Sequence, residues 1–173
     1  MIFETQKLIV RYLTIQDKDA YFDMMGNPNV MNLVPRPAMS REDSDKHLHC
    51  VMNIDHMTSD TKVWAIESKL ENDFIGLCAF LKNDANQDEI GYRLREKYWG
   101  KGYGTEIAKG LIDYGFYTMN CDIITADVTI DNSRSAKILD KFLYRDKEFF
   151  NANDNCNNRR YKIDKISWMK KNK

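Results

Sequence analysis

Trp99-Gly100-Lys101-Gly102-Tyr103-Gly104-Thr105-Glu106 is the stretch that decides the fold. Glycine at every second position strips side chains from a turn, so its backbone N–H groups are left pointing outward. Directly after it, Ile107, Ala108, Leu111, Ile112, Phe116 and Met119 recur at helical spacing, which predicts an amphipathic helix opening at the turn. A helix N-terminus carries partial positive charge, so turn and helix together form a cradle for phosphate or pyrophosphate. Spacing then sorts the phosphate binders. A P-loop needs GxxxxGK followed by Ser or Thr, and Lys101 lies between glycines with neither after it. A dinucleotide fingerprint begun at Gly102 would need a small residue where Ile107 stands, and Arg95 to Trp99 intervene between strand and turn. The plain alternative is a glycine-rich surface turn in front of a core helix.

Working outward, Glu89 to Leu94 alternates as a strand, with Glu89, Gly91 and Arg93 on one face and Ile90, Tyr92 and Leu94 on the other. Two more strands precede it, Val63 to Glu67 and Phe74 to Leu81, and the second is apolar nearly throughout, which places it centrally in a sheet. The chain opens on a β-rich run, Leu8 to Leu13, with Thr14 a helix N-cap candidate. Pro28 ends that helix near Gly26-Asn27. A loop or broken helix through Met31, Pro35, Pro37 and Met39 follows, and Ser40 with Asp43 caps a second helix across Lys46 to Met57. Downstream, Ile124, Ala126, Val128 and Ile130 alternate with polar residues as a half-buried strand, and Asn132-Ser133-Arg134-Ser135 starts a helix carrying Ala136, Leu139 and Phe142. Two last β-like runs, Tyr144 to Phe150 and Arg160 to Trp168, flank an Asn-rich turn. The pattern is a mixed α/β fold with a mostly antiparallel sheet flanked by helices, without internal repeats or linkers.

The 173 residues suit one domain, 1–173, and 43% hydrophobic against 30% charged residues is the balance of a domain with a real core. Lys and Arg number 26, as do Asp and Glu, so no global field draws the chain to nucleic acid or an anionic membrane. No run approaches the roughly 18 apolar residues of a membrane span, and the N-terminal stretch lacks the features of a signal peptide. Cys50, Cys78, Cys121 and Cys156 are widely spaced and read as reduced thiols, with Cys78 and Cys121 as small core residues; a cytoplasmic location is expected. His47, His49 and His56 lack the i, i+4 spacing of a helical ligand pair, so no metal is expected. The basic tail of Arg159, Arg160, Lys162, Lys165, Lys170, Lys171 and Lys173 against Asp164 reads as a solvated strand end.

The glycine turn and its surroundings resemble the GNAT superfamily of N-acetyltransferases, whose acetyl-CoA signature is an (R/Q)xxGxG(G/A) loop opening the long central helix. Trp99 stands where the superfamily usually has Arg or Gln, but WGKGYGTE is similar to the form found in the ribosomal-protein-alanine N-acetyltransferase (RimJ/RimL-like) branch. NPNVMNLV, EIGYRL and DNSRSAKILDKF extend the resemblance over nearly the whole chain. It implies acetyl-CoA as co-substrate, without a metal. Backbone amides of Gly100, Lys101, Gly102, Tyr103, Gly104 and Thr105 would meet its pyrophosphate; Tyr92, Arg93 and Leu94 would present backbone groups to its pantetheine arm, and Asn132 would contact it. The partner is an amine acceptor, either a protein N-terminus or a small molecule such as an amino sugar or antibiotic, and a second copy of the chain is a further candidate partner. The rival class is an acetyl-CoA-binding regulatory module without turnover. One departure is Leu143, where the family usually has Gly; a left-handed Leu would cost about 1–2 kcal/mol, so the preceding helix is expected to end differently.

Acetyl transfer to an amine needs a neutral nucleophile, a polarised carbonyl and a proton for the departing thiolate. Glu89 matches the position some family members use for a base, and Asp127 and water compete for that role. The usual acid, a helical Tyr, is replaced by Leu139. Ser135 could donate instead, although a first-turn Ser commonly just caps a backbone N–H. Met25, Met31, Leu33, Val34 and Met39 crowd a Pro-punctuated segment with no clear helical face, which suggests either an acceptor wall or a core cover.

Overall fold

A computed structural model describes residues 1–171; Lys173 of the basic tail lies outside the described residues. In chain order it contains β1 (Phe3–Glu4), β2 (Leu8–Arg11), a 3-10 turn (Ile15–Asp17), α1 (Lys18–Met25), α2 (Pro28–Met31), α3 (Arg41–Met52), β3 (Lys62–Ser68), β4 (Asp73–Lys82) and β5 (Asp88–Leu94). A second 3-10 turn (Glu96–Tyr98), α4 (Tyr103–Tyr117), β6 (Ile123–Thr129), α5 (Ser133–Leu139), β7 (Tyr144–Asn151), β8 (Cys156–Asp164) and α6 (Lys165–Lys171) follow. The strands form one eight-stranded sheet in the order β1-β2-β3-β4-β5-β6-β8-β7. Every neighbouring pair is antiparallel except β5 with β6, so the mixed, mostly antiparallel sheet expected from the sequence is present.

Two apolar clusters cover the two faces. On one, Ile107, Leu111, Ile112 and Phe116 of α4 pack on Trp64, Phe80, Ile90 and Ile124. On the other, Tyr21, Met24, Met25, Met31 and Leu48 from α1 to α3 pack on Ala65, Phe74 and Leu77. β4 runs between β3 and β5, inside the sheet as its apolar run requires. Gly76 lets it do so: a Cβ there would stand 2.1 Å from the Arg93 carbonyl oxygen on β5.

The parallel pair β5–β6 is short. Only Asp88 with Ile124 and Glu89 with Thr125 are in register, after which the strands part. β5 meanwhile stays paired to β4 from Asp88 to Leu94, and β6 to β8 along its whole length, so the sheet opens as a V between two intact halves.

Several expectations shift. α3 ends at Met52, not Met57, because Asp55 turns the chain by accepting from the Met57 N–H (2.9 Å) and the Thr58 hydroxyl (2.6 Å). The segment at 26–40 holds a short helix, α2, capped by Asn27, whose side chain accepts from the Asn29 N–H at 2.9 Å. Met25 and Met31 are core residues, whereas Leu33 and Val34 reach the cavities described below. The last β-like run stops at Asp164, which caps α6 by accepting from the Ser167 N–H (2.9 Å) and hydroxyl (2.7 Å). Trp168 is therefore a buried helical residue rather than a strand residue. Ile130 falls past the end of β6 and is exposed, while Arg160 is buried instead of solvated. Leu143 has no left-handed backbone; its N–H closes the end of α5 onto the Leu139 carbonyl at 2.8 Å, and its side chain enters the core.

Gly76→Ala is expected to cost about 1–3 kcal/mol, because the added methyl meets backbone and β5 must move away from β4. Urea denaturation checks this; a loss within 0.5 kcal/mol or less, the usual scale of surface substitutions, contradicts the close approach.

Candidate active site

At the open end of the V, the glycine turn runs into α4. Gly100 and Gly102 adopt φ of 74° and 86°, the left-handed region that a side chain disfavours, and Gly102 is the α4 N-cap. The first helical bond runs from the Glu106 N–H to the Gly102 carbonyl, so the N–H groups of Tyr103, Gly104 and Thr105 project unpaired from the helix end. They face a cavity of about 780 Å³ whose lining includes Tyr92, Arg93, Leu94, Gly100, Gly102, Gly104, Thr105 and Asn132. The side chains of Lys101 and Tyr103 turn elsewhere: the Lys101 ammonium sits 5.0 Å from the Tyr98 ring centre, and Tyr103 is buried edge-on against the same ring. Arg134 and Lys137 of α5 add positive charge to the rim. Unpaired amides, side-chain-free backbone and flanking cations suit a diphosphate.

A second cavity, about 800 Å³, lies on the opposite side of the parting strands. Glu89, Gly91 and Arg93 form its floor, Asp127 and Thr129 its β6 side, and Leu33, Val34, Arg36 and His47 its far wall. The two cavities share Leu33, Val34, Tyr92, Arg93, Asn132 and Ser135, so they meet at the split.

The two carboxylates considered as bases differ sharply. Asp127 receives both Nε (2.8 Å) and Nη2 (2.7 Å) of Arg160, a buried guanidinium that also reaches Asp84. Both its oxygens are held by a fixed charge. Glu89 forms no hydrogen bond or ion pair among the described residues, and burial, with Asp127 and Asp84 nearby, raises its pKa to about 7 although Arg160 opposes this. A carboxyl titrating near neutrality is poised to take a proton.

Asn132 caps α5, its side chain accepting from the Ser135 N–H at 3.1 Å. Ser135 itself is thus not the cap, and its hydroxyl remains available beside Tyr92. The Tyr92 hydroxyl is buried without a hydrogen-bond partner among the described residues. Burial pushes its pKa up to about 12, with Ser135 lowering it slightly. Its ring lies against Gly104 at the α4 N-terminus. Only the Tyr92 backbone was singled out from the sequence; nothing there signals an orphaned hydroxyl. Leu139, in the position the family gives to Tyr, lines the second cavity as a hydrocarbon and has no proton to offer. His47 pairs with the Tyr21 hydroxyl at 2.6 Å. Among the described residues no three His, Cys, Asp or Glu side chains cluster to hold a metal, and no helix is long and apolar enough to cross a membrane. Burial raises the pKa of both Cys78 and Cys121, as expected of core thiols.

A family profile described as an acetyltransferase (GNAT) domain matches residues 7–142. The chain belongs to the GNAT acetyltransferase family. A curated relative, an uncharacterized N-acetyltransferase p20 of Bacillus licheniformis, is 29% identical to this acetyltransferase over 146 residues, 82% of this chain and 80% of the relative. The solved GNAT-family acetyltransferase from Bacillus anthracis superposes with a TM-score of 0.80 at 23% identity, covering 94% of this chain and 98% of that one. The ribosomal L7/L12 alpha-N-protein acetyltransferase RimL, solved in complex with coenzyme A, reaches 0.76 at 18% identity over 94% and 97%. At those identities the two structures share the acetyltransferase's fold.

Arg160→Met is expected to destabilise the acetyltransferase by about 3 kcal/mol, because it strands the mostly buried Asp127 carboxylate. Chemical denaturation reads this, and a loss below about 1 kcal/mol would mean that Asp127 is free to act as a base.

Proposed function

We propose that this acetyltransferase, as one domain spanning residues 1–173, transfers the acetyl group of acetyl-CoA to a primary amine by direct attack of the amine nitrogen on the thioester carbon. A C–N bond forms, the C–S bond breaks, and the sulfur leaves with a proton. The observation that carries the reading is the meeting of two cavities across the β5–β6 parting, one lined by unpaired amides and the other floored by an unpartnered carboxyl. The amides of residues 100–105 bind the diphosphate. The free backbone edge of Tyr92 to Leu94 takes the amide-bearing arm of the co-substrate as a strand edge takes a partner strand, and Asn132 closes the other side. No metal takes part.

Glu89 accepts the amine proton, directly or through water. An α-amino group, with a pKa of about 7.7–8.0, needs little help from it, and a lysine-like amine, near 10.4, needs much more. Ser135 donates a proton to the leaving sulfur and regains one from solvent, and Glu89 releases the amine proton to solvent, so the enzyme returns to its starting state; Tyr92, its hydroxyl neutral at physiological pH, lies beside Ser135. A regulatory module without turnover is disfavoured, because an unpartnered half-buried carboxyl weakens the fold and serves no binding role in such a protein.

Gly102→Val, which forces a branched side chain into the left-handed region at the α4 N-cap, is expected to abolish acetyl-CoA binding by calorimetry in a protein that still melts cooperatively. Unchanged affinity contradicts the amide cradle. Glu89→Gln is expected to lower kcat about a hundredfold or more and to spare acetyl-CoA affinity. The wild-type rate rises with pH through about 7 as Glu89 ionises, and the variant loses that inflection. Stability carries the opposite sign. A folded-state pKa raised above the unfolded value contributes stability that is fully present at pH 4 and lost as pH rises through 7. Glu89→Gln is therefore expected to melt higher than wild type at pH 8, a gain that fades toward pH 4.

A further inference from the structure

We propose that the acceptor of this acetyltransferase is a small amine that also bears a carboxylate, held by the side chain of Arg93. The proposal rests on the acetyl-transfer reading above and names the class of amine that enters the second cavity.

Four other arginines with restricted exposure each hold at least one carboxylate: Arg11 holds Asp17 and Glu67, Arg95 holds Asp23 and Asp73, Arg160 holds Asp127 and Asp84, and Arg159 holds Glu148. Arg93 holds none among the described residues. Its Nη1 donates only to the sulfurs of Met25 (3.1 Å) and Met31 (3.3 Å), weak and uncharged acceptors. Its Nε is buried and has no hydrogen-bond partner among the described residues. A buried guanidinium without a counter-ion is a heavy cost to a fold, and the charge is strained enough that burial lowers its pKa. The methionines take Nη1 and leave Nε and Nη2 without a hydrogen-bond partner among the described residues, the pair of donors that holds a carboxylate through two parallel N–H···O bonds.

The cavity around it has the matching shape. Arg93 and Glu89 lie on the same face of β5, their Cα atoms about 13 Å apart at strand spacing. Between them is Gly91, where an added Cβ would meet nothing within 4 Å, so the floor from acid to base is open. Arg36 and His47 stand on the Arg93 side and Asp127 and Asp84 on the Glu89 side. Asp154 pairs with Arg36 (3.2 Å) and Arg160 with Asp127 and Asp84, which leaves Arg93 and Glu89, at the two ends of the floor, as ionisable groups without an ion pair among the described residues. A volume of about 800 Å³ is in the range of small-molecule sites.

The test compares matched pairs, 4-aminobutyrate with butylamine and phenylalanine with 2-phenylethylamine, in wild type, Arg93→Met and Arg93→Lys, with product read by mass spectrometry. Wild type is expected to favour the carboxylate-bearing member by at least about tenfold in kcat/KM, the factor that 1.4 kcal/mol represents. Arg93→Met erases the preference and Arg93→Lys restores part of it. Arg93→Met places an unbranched apolar chain between two methionines and is expected to fold, with its melting temperature as the control. Acetyl-CoA affinity of the wild type is measured in parallel by calorimetry; its absence would sink the acetyl-transfer reading, whereas its presence isolates the acceptor question. Should no amine of the panel turn over, calorimetric titration of succinate into the CoA-loaded protein decides, with binding in wild type and none in Arg93→Met expected. No preference in wild type, an undiminished preference in Arg93→Met, or succinate binding that is absent or indifferent to Arg93→Met overturns the proposal.

Discussion

Two strands that pair for only two residues govern the rest of this molecule. β5 and β6 are held together at Asp88 and Glu89 and then diverge, because each is committed along its whole length to a partner on its other side. The closed end is fastened by polar contacts: Thr125, fully buried, donates its hydroxyl to the Asp88 carbonyl (3.0 Å) and accepts from the Asn83 side chain (3.1 Å). Arg160 adds a strap from Asp127 on β6 to Asp84 in the hairpin before β5. The open end is occupied by the first turns of α4 and α5, so the freed strand edge faces cavities. Backbone polar groups that folding ordinarily pairs are thereby kept for a ligand.

The same fastening divides the labour between the acidic groups. Arg160 neutralises Asp127 and leaves it as a fixed charge, and that charge, with burial, keeps the proton on Glu89 up to about pH 7. Burial sets the rise first; Asp127 and Asp84 add to it and the Arg160 guanidinium opposes it, so the Glu89 pKa reflects the balance of these neighbours. The pairing that closes the V therefore also tunes the group at its apex.

The meander, the glycine turn and the long helix after it were legible in the sequence because their periodicities are local and strong. Glu89, Asn132 and the glycines could be named for the same reason, standing at motif positions. What escaped depends on distant partners. Nothing near Arg160 in sequence distinguishes it from the solvated lysines around it; Asp84 and Asp127, on other elements, make it a buried strut. The Asp164 and Ser167 cap was an available local signal for α6, masked by the β-like Ile163 and Ile166 beside it. The sequence leaves Met25 and Met31 open between an acceptor wall and a core cover because the Pro-rich segment has no helical period, and the packing of α1 and α2 on Leu77 and Phe74 turns them inward. Tyr92 and Arg93 were assigned through their backbone, since whether a side chain lacks a partner cannot be seen without the fold.

Several departures from good folding practice in this chain gather around the β5–β6 parting. Glu89 lacks a partner, Arg93 lacks a counter-ion, the Tyr92 hydroxyl is buried unbonded, Gly91 leaves space beneath it empty, and Gly100 and Gly102 sit at left-handed angles. Each lowers stability or leaves a polar group unsatisfied, whereas Arg11, Arg95 and Arg160 hold two carboxylates apiece. Scattered, they would be imperfections of packing. Around the β5–β6 parting they line two cavities, whereas the buried Ser44, His56 and Trp64 atoms that also lack a hydrogen-bond partner among the described residues line neither, so the faults at β5 are the ones that a bound ligand can complete.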